Sequence, residues 1–452
     1  MEQLEEMCVD VNLDEGLATE ILVRLPARSV LRYRAICKDW LRITACQSFL
    51  RAHARRRPLE VLFYTRRTVV QQQELDGAAG PRWPGRRWDA ARQRWRFPRS
   101  PMIQEVEDRF FAISKDHRSN DSGYVELDAL SITAHRPASG QRLARYPSNC
   151  VLLASLDGLL LLRSSKSVFH CQHLVCNPLT RQWSDLPPLI RDAGVNAQQR
   201  ESGFYFHEPS GEYRLLCHVT FYQPRPESWG YYVFSAGADK PRRLNTEATP
   251  MWNTVVTTLR SHPSLMKPAF YDNLMAPAVL HGHLHWMQHI EAGFTGQIVA
   301  FDTVTEMFRR MAPPPMTHND PEHSHLLVAD GSLMASELGQ LFVDLWVLQG
   351  YDGGAASGRW ERHVRVEVPC HTDNRLLIAT GGDGGDVILG TPGGVVVYNV
   401  RSGTVRQVMD IDASRSDTVV SPSRVVFRES IVRHRFFEAR PHPGLRYFSF
   451  CS

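Results

Sequence analysis

Three histidines at alternating positions form the first group whose spacing could support chemistry. His281, His283 and His285 would share one face of a β-strand, and His289 follows four residues later. Three imidazoles on one face could bind a transition metal. The same stretch is also typical of an ordinary strand, in which Leu, Gly, Leu and Trp alternate with outward-facing polar residues. We favour this structural interpretation and predict no metal here.

A second group combines histidine with cysteine but lacks the paired spacing of common zinc sites. His170, Cys171, His173 and Cys176 lie close together without a Cys-x-x-Cys pair. The glycine-rich run 381–386 contains no lysine and follows no phosphate-binding pattern. A Gly-x-Ser-x-Gly nucleophile motif is also missing from the sequence. We therefore predict no catalytic residue, no metal and no cofactor.

Composition places the chain among ordinary globular proteins. It has 452 residues and a formal net charge of +4, with 43% hydrophobic and 22% charged residues. No apolar run approaches the ~20 residues that a membrane span needs, and the acidic N-terminus is unlike a targeting signal. Nine scattered cysteines favour reduced thiols. We expect a protein of the cytoplasm or the nucleus, or both, without a membrane partner.

The basic residues are strongly biased towards arginine. Only five of the 52 are lysines, and thirteen arginines lie between positions 51 and 100. Trp83, Trp88 and Trp95 lie among them. Arginine contacts phosphates and tryptophan can stack on bases, so nucleic acid is one possible ligand, although the less favoured one. We predict a solvated Arg/Trp-rich insertion at about 76–100 and leave an acidic protein ligand open.

The first 55 residues predict a small helical domain. An apolar residue recurs every four positions, at Leu13, Leu17, Ile21 and Leu25. Leu25-Pro26 should end this helix, because proline disfavours helical geometry in the residue before it. Two further helices are predicted at 29–36 and 38–44, and a fourth helical stretch begins at Ser48.

From Leu59 onward, short β-rich runs alternate with turn residues, which is typical of an all-β sandwich, barrel or propeller. Three segments repeat one plan, in which an apolar strand, a corner residue, a polar turn and a second strand follow one another. The corner residues are Asn177, Asp302 and Asn399. Asn and Asp suit this corner because their side chains bond nearby backbone amides and tolerate left-handed geometry.

Each of these segments follows a glycine-centred hairpin, at Asp157-Gly158, His281-Gly282 and Pro392-Gly393. A unit therefore has about four strands in ~40–50 residues, the size of a propeller blade. Less regular units occur near 203–247 and 326–369, and residues 59–147 must supply at least one more. We predict a β-propeller of six to eight blades, with a generic β-sandwich as the alternative.

The stretch from Leu13 to Trp40 closely resembles an F-box. The family shows Leu-Pro, an acidic residue, Glu-Ile-Leu, Leu-Pro, Ser-Leu and Val-Cys-Lys-x-Trp at this spacing. The matching residues here are Glu20-Ile21-Leu22, Leu25-Pro26, Ser29-Val30-Leu31 and Cys37-Lys38-Asp39-Trp40. The β-rich remainder is more loosely similar to the F-box-associated or kelch-like propellers of plant F-box proteins, through Asp157-Gly158-Leu159, 176–180 and 298–302.

The resemblance implies an α+β multidomain chain. Its parts would be a flexible N-terminus at 1–11, a three-helix F-box at 12–55 and a propeller-like substrate-binding domain at 59–452. The F-box would bind the Skp-type adaptor of a cullin-based ubiquitin ligase, and the β-domain would hold an unidentified protein target. Two alternatives stay open, namely an adaptor-bound scaffold that does not ubiquitinate and, less favoured, a propeller enzyme.

A domain of about 45 residues is too small to bury all its apolar side chains, so some must face a partner. Leu17 and Leu22 are expected to pack inside. The family's first proline falls at Asp14 here, which suits a helix start through the helix dipole and amide capping but removes an apolar contact. The predicted adaptor contacts are Leu13, Ile21, Leu25, Pro26, Leu31, Cys37 and Trp40.

Overall fold

The computed structural model describes most of the helical region and the strands of the β-rich region. Within the described residues, no helix is both long and apolar enough to cross a membrane. The described ranges are 14–57, 59–71, 87–89, 94–96, 103–114, 131–134, 149–167, 170–189, 197–221, 228–244, 277–288, 297–316, 324–339, 342–354, 358–367, 377–380, 385–391, 394–410, 418–442 and 448–451.

Four helices form the N-terminal unit, which agrees with the four helical stretches expected from the sequence but not with the three helices that the resemblance implies. They are α1 at Glu15–Leu22, α2 at Ala27–Tyr33, α3 at Lys38–Ala45 and α4 at Gln47–Arg56. The last two are separate because Cys46 between them is extended, with φ −67° and ψ 135°. The first helix ends at Leu22 rather than at Leu25, and Pro26 directly precedes the second helix.

Strands and the turns between them make up most of the rest of the described chain, with one short helix, α5, at Phe436–Ala439. The strands are β1 Leu59–Gln71, β2 Arg87–Asp89, β3 Arg94–Arg96, β4 Ile103–Ser114, β5 Ser131–Ala134, β6 Asn149–Leu156, β7 Leu159–Ser167, β8 His170–Asn177, β9 Gln182–Asp185, β10 Ala197–His207, β11 Glu212–Phe221, β12 Ser228–Ser235, β13 Arg242–Arg243, β14 Ala278–Leu280, β15 His283–Gln288, β16 Gln297–Asp302, β17 Phe308–Met311, β18 Ser324–Ala329, β19 Ser332–Leu338, β20 Phe342–Gln349, β21 Arg359–Glu367, β22 Leu377–Thr380, β23 Asp386–Thr391, β24 Gly394–Asn399, β25 Thr404–Asp410, β26 Thr418–Arg428 and β27 Phe448–Cys451.

The described strands form a series of small antiparallel sheets. Five of these sheets have four strands in chain order, namely β6–β9, β10–β13, β14–β17, β18–β21 and β22–β25. A further sheet has the order β26-β1-β4-β5-β27, and β2 pairs with β3 separately. The unit predicted within 59–147 therefore exists, but it also needs strands from the C-terminal end of the chain.

Neighbouring sheets pack against one another in chain order. The first strands β6, β18 and β22 contact the first strands of adjacent sheets, and β26 of the five-stranded sheet contacts both β6 and β22. Between the second and third four-stranded sheets, Trp286 donates its indole N–H to the Ser202 carbonyl at 2.8 Å. Apolar residues such as Leu161, Phe204 and Leu215 are buried between sheets. The result is a large all-β domain.

The corner residues of the three predicted repeats occupy equivalent positions. The side-chain oxygen of Asn177, Asp302 and Asn399 accepts the backbone N–H groups two and three residues on, at 2.8 to 3.2 Å. The prediction is confirmed for these hydrogen bonds. It is wrong for the left-handed geometry, which instead falls four residues later, at φ 56° for both Arg181 and Glu306.

The glycine-centred hairpins are confirmed in the first and third four-stranded sheets. Asp157 and Gly158 have φ of 52° and 81°, and His281 and Gly282 have φ of 49° and 70°. Two successive positive φ values match the type I′ turn, whose twist suits a two-residue hairpin. The Pro392-Gly393 hairpin lies outside the described residues, and it joins the second and third strands of its sheet rather than the first and second.

We expect Asn177→Ala to lower the free energy of unfolding by about 2 kcal/mol, because a buried side chain loses three hydrogen bonds. Asn177 is fully buried, and its amide also donates to the Ser430 carbonyl at 3.0 Å. Asn399→Ala is the matched control, since Asn399 makes the same corner but is less buried and donates to Asp386 of its own sheet. Urea denaturation of the full chain measures both, and an equal or larger loss for Asn399→Ala would contradict the prediction.

Candidate functional site

An ion pair with two hydrogen bonds joins α1 to α3. The guanidinium of Arg42 donates to both carboxylate oxygens of Glu15, at 3.0 and 2.8 Å. These hydrogen bonds and the charge of Arg42 lower the pKa of Glu15. Because the pair is exposed, it adds little to stability.

Trp40 is positioned by contacts with two helices. The Sγ atom of Cys37 caps α3 by accepting the Trp40 backbone N–H at 3.4 Å. The Trp40 indole packs edge-on against Tyr33 of α2, with ring centroids 5.4 Å apart. The Trp40 carbonyl accepts the Thr44 hydroxyl at 2.6 Å. Trp40 is therefore held half-buried, with part of its ring still accessible.

Exposed apolar side chains are concentrated in the helical unit. Leu17, Ile21, Ile36 and Leu41 are exposed by 55%, 43%, 61% and 47%. In the much longer described part of the β-domain, only four more large apolar side chains are exposed. Apolar surface gathered in one small region marks a protein-binding surface more often than scattered residues do.

The structure places the predicted adaptor contacts in two groups. Three are exposed and three are half-buried at the edge of the helical core. Leu13 lies outside the described residues. The exposed residues are Ile21, Pro26 and Cys37, and the half-buried residues are Leu25, Leu31 and Trp40.

The expectation that both Leu17 and Leu22 pack inside is wrong for Leu17. Leu22 is fully buried, whereas Leu17 is 55% exposed. The helix has two apolar pairs with the same spacing, Ala18–Leu22 and Leu17–Ile21, and the pair containing the small Ala18 faces the core. Periodicity alone cannot choose between them because both pairs repeat every four residues.

Sequence reasoning also missed Ile36 and Leu41. They lie immediately before and after the segment Cys37–Trp40 that carried the prediction, and no periodic pattern marks either of them. At the other end of the unit, Asp14 precedes α1 as expected, but its side chain makes no capping hydrogen bond. The expectation of amide capping by Asp14 is therefore wrong, although its negative charge still lies at the favourable end of the helix.

The alternating histidines make local hydrogen bonds, but the expectation that they share the outward face of one strand is wrong, because His281 lies in the turn between β14 and β15 and His285 is buried. His285 is fully buried, with Nδ1 bonded to the Ala278 carbonyl at 3.0 Å and Nε2 to the Tyr351 hydroxyl at 2.7 Å. Burial lowers the pKa of His285 to about 4, so the ring is neutral at physiological pH. His283 Nδ1 contacts the His281 carbonyl at 2.7 Å, and His289 lies outside the described residues.

The second histidine group is joined to a carboxylate of another sheet. His173 Nε2 donates to Glu201 at 2.5 Å, and Arg163 donates to the other carboxylate oxygen at 2.8 Å. Burial opposes ionisation, but these bonds hold the pKa of Glu201 below its ordinary value. Among the described residues, no group of three or more His, Cys, Asp and Glu side chains is arranged to hold a metal.

Part of the Arg/Trp-rich segment forms a hairpin. β2 and β3 pair so that Trp88 lies opposite Trp95, and Arg87 lies opposite Arg96. Trp83 and most of the range 76–100 lie outside the described residues. The ligand alternatives for this segment therefore stay open.

Comparison with known proteins identifies the β-domain. A family model described as "F-box associated beta propeller domain" matches residues 102–411, which is more than half of the chain. An F-box protein of Arabidopsis thaliana is 22% identical over 241 residues, covering 53% of this chain and 46% of that protein. The match thus spans about half the length of this relative.

Solved structures give weak likenesses. Polysaccharide lyase Uly1 has a TM-score of 0.33 at 10% identity, covering 72% of this chain and 70% of that chain. An uncharacterised protein of Listeria monocytogenes has a TM-score of 0.32 at 9% identity, covering 70% and 78%. Scores of this size do not establish a common arrangement of sheets. The family match and the F-box relative do carry weight, and on them the chain belongs to the plant-type F-box proteins that have an F-box-associated β-propeller domain.

Proposed function

We propose that this chain is a substrate-receptor subunit of a Skp–cullin–F-box ubiquitin ligase. The helical unit binds the Skp-type adaptor, and through it cullin, while the β-domain holds a protein target. The receptor itself is not a catalyst and needs no cofactor. Its contribution is proximity, because it raises the effective concentration of target lysines near the ubiquitin-loaded enzyme. The observation that carries the proposal is the exposed apolar surface of the helical unit, in a chain of this family.

The adaptor surface is proposed to combine exposed anchors with half-buried supports. Ile21, Pro26 and Cys37 are accessible to a partner, and the exposed Leu17, Ile36 and Leu41 enlarge the apolar area around them. Half-buried Leu25, Leu31 and Trp40 touch the helical core as well as the surface. Central apolar and aromatic anchors usually dominate the free energy of such interfaces. Leu13 remains a proposed contact.

The proposed division of the chain keeps the F-box at 12–55 and the β-domain at 59–452, and the N-terminal segment 1–11 lies outside the described residues. For the β-domain we propose six blades, the low end of the predicted range. Five four-stranded sheets and the five-stranded sheet that contacts the first and the last of them support this number. The pairing of β26 with β1 then joins the two ends of the domain within one blade.

Co-purification tests the proposed function. The full chain is expressed with a Skp-type adaptor and a cullin, and we expect a stable ternary complex at submicromolar concentration. Proximity labelling with and without proteasome inhibition would then identify targets, which should accumulate when the proteasome is blocked. Failure of the wild-type chain to bind the adaptor would overturn the proposal. Adaptor binding without cullin would favour the scaffold alternative. So would bound proteins whose level does not change when the proteasome is blocked.

A further inference from the structure

A segment from the far C-terminal part of the chain completes the core of the helical unit. Ile431, which follows β26, is fully buried together with Leu22 of α1, Val30 of α2 and Phe49 of α4. The half-buried Val432 packs against the same cluster. The core of the F-box helices is therefore built partly from a residue nearly 400 positions later in the sequence.

The same segment also caps a helix. The half-buried carboxylate of Glu429 faces the backbone N–H of Ala27, the first residue of α2; burial raises the pKa of Glu429, and the interaction with this N–H lowers it. Such N-terminal N–H groups have no partner within their own helix. Pro26, which precedes α2, supplies no side-chain cap. Glu429 thus provides from the β-domain what the local sequence does not provide.

The β-domain holds this segment firmly. The Ser430 carbonyl accepts the Asn177 amide at 3.0 Å, and a Cβ atom on Gly158 would overlap Ser430. Further on, Phe437 is buried between the β6–β9 and β10–β13 sheets, and the His442 N–H donates to the Trp183 carbonyl at 3.0 Å. The segment is therefore anchored on the β-domain both at Ser430 and beyond it.

We propose that the strap Glu429–Val432 is a constituent of the adaptor-binding unit, so that adaptor binding requires a completed β-domain. Four short helices have little stability alone, and they gain a buried core residue and a helix cap from the strap. A chain whose β-domain has not folded completely lacks both the core residue and the helix cap. By linkage, the adaptor in turn stabilises the strap. The adaptor part of this inference rests on the proposed function.

Hydrogen exchange of the full chain tests the coupling without any adaptor. Ile431→Ala removes the shared core residue, and Ile388→Ala is the matched control, since Ile388 is equally buried but lies in β23. We expect protection of the α1–α4 amides to fall about thirtyfold or more in Ile431→Ala, as for a buried Ile→Ala change, and to stay within about twofold in the control. Unchanged protection of these helices, or an equal fall in both variants, would overturn the inference.

A milder variant covers the case in which Ile431→Ala does not fold. Glu429→Ala leaves the core intact and should lower protection about fivefold, mainly in α2, as expected for a lost helix cap. Loss of protection spread evenly over the β-domain, with none in α2, would count against the role of Glu429.

The second test of the inference is a calorimetric titration of the full chain with a purified Skp-type adaptor. The apparent Kd rises as the fraction of competent helices falls. We expect the apparent Kd of Ile431→Ala to rise by the factor by which its fraction of folded helices falls, and the apparent Kd of Ile388→Ala to change by less than about twofold. If the wild-type chain does not bind the adaptor but the exchange results hold, the proposed function fails and the strap coupling stands. If Ile431→Ala binds as tightly as wild type with unchanged protection, the coupling fails and the function stands.

Discussion

Replacing Ile21 by aspartate should abolish stable binding of the full chain to a Skp-type adaptor while leaving the helices folded. Ile21 is 43% exposed on α1, away from the buried Ala18 and Leu22. A carboxylate there costs little in the free chain, because it stays in water. In an apolar interface it would be desolvated without a partner, so we expect a loss of at least about a hundredfold in affinity.

Leu41→Asp is an independent test of the same surface on α3, where the leucine is 47% exposed. Val405→Asp is the matched control, since Val405 is 55% exposed on β25 in the β-domain. Calorimetry gives the affinities, and circular dichroism checks that each variant keeps its helices. Adaptor binding that survives both Ile21→Asp and Leu41→Asp would place the interface elsewhere.

Leu25 and Trp40 are less suitable targets for this test, because both also touch the helical core. Their replacement would change folding as well as binding.

Removal of the Glu306 carboxylate should cost the β-domain about 3 kcal/mol of unfolding free energy, in the range for breaking a buried ion pair. Glu306 lies in the turn between β16 and β17 and is buried. Its carboxylate accepts the Tyr205 hydroxyl at 2.8 Å and the Arg214 guanidinium at 2.7 Å, and it also contacts Arg242. All three partners belong to the preceding sheet, so the carboxylate joins two sheets. In Glu306→Ala, the largely buried Arg214 keeps Glu212 as its one charged partner among the described residues.

The effect of Glu306 has a defined pH dependence. Burial favours the neutral acid, but the hydrogen bonds from Arg242 and Tyr205 hold the pKa of Glu306 below its ordinary value of 4.5. Because the pKa of Glu306 is lower in the folded state than in the unfolded state, the ionised carboxylate stabilises the fold. This stabilisation is complete above pH 4.5 and is lost as the pH falls through the folded-state pKa of Glu306. Urea denaturation between pH 3 and 7 should show that the unfolding free energy falls less on acidification in Glu306→Gln than in wild type.

Glu208→Ala is the control for Glu306→Ala, because Glu208 is exposed in the turn between β10 and β11. We expect this control to change the unfolding free energy by less than about 0.5 kcal/mol. Equal stability of Glu306→Ala and Glu208→Ala at pH 7 would mean that the carboxylate does not join the two sheets energetically.

Features that depend on neighbouring residues were predictable. The Asn or Asp corner bonds amides two and three residues away, and the Asp157-Gly158 hairpin needs only two residues that tolerate positive φ. Helices α2 and α3 were placed correctly to within a few residues for the same reason. The local rule was still incomplete, since the left-handed residue of the corner falls at Arg181 and not at Asn177.

The proposed adaptor surface was only partly predictable. Spacing of four identifies two apolar pairs on α1, yet only the packing of Ala18 and Leu22 against the other helices decides that Leu17 and Ile21 remain outside. The resemblance to an F-box predicted Ile21 as an adaptor contact but did not predict Leu17. It could not mark Ile36 or Leu41, because exposure is a property of the assembled unit.

The sequence by itself determined that a short helical unit precedes a long series of four-stranded β units, because hydrophobic period, turn residues and helix breakers act over a few positions. Tertiary structure alone decided that β1 pairs with β26, that Glu306 meets Arg214 and Tyr205, and that Ile431 enters the helical core. These contacts join residues about 90 to 400 positions apart. Their physical reason is the burial of apolar surface and the pairing of buried charges, which depend on the whole assembled chain and leave no periodic trace in the sequence.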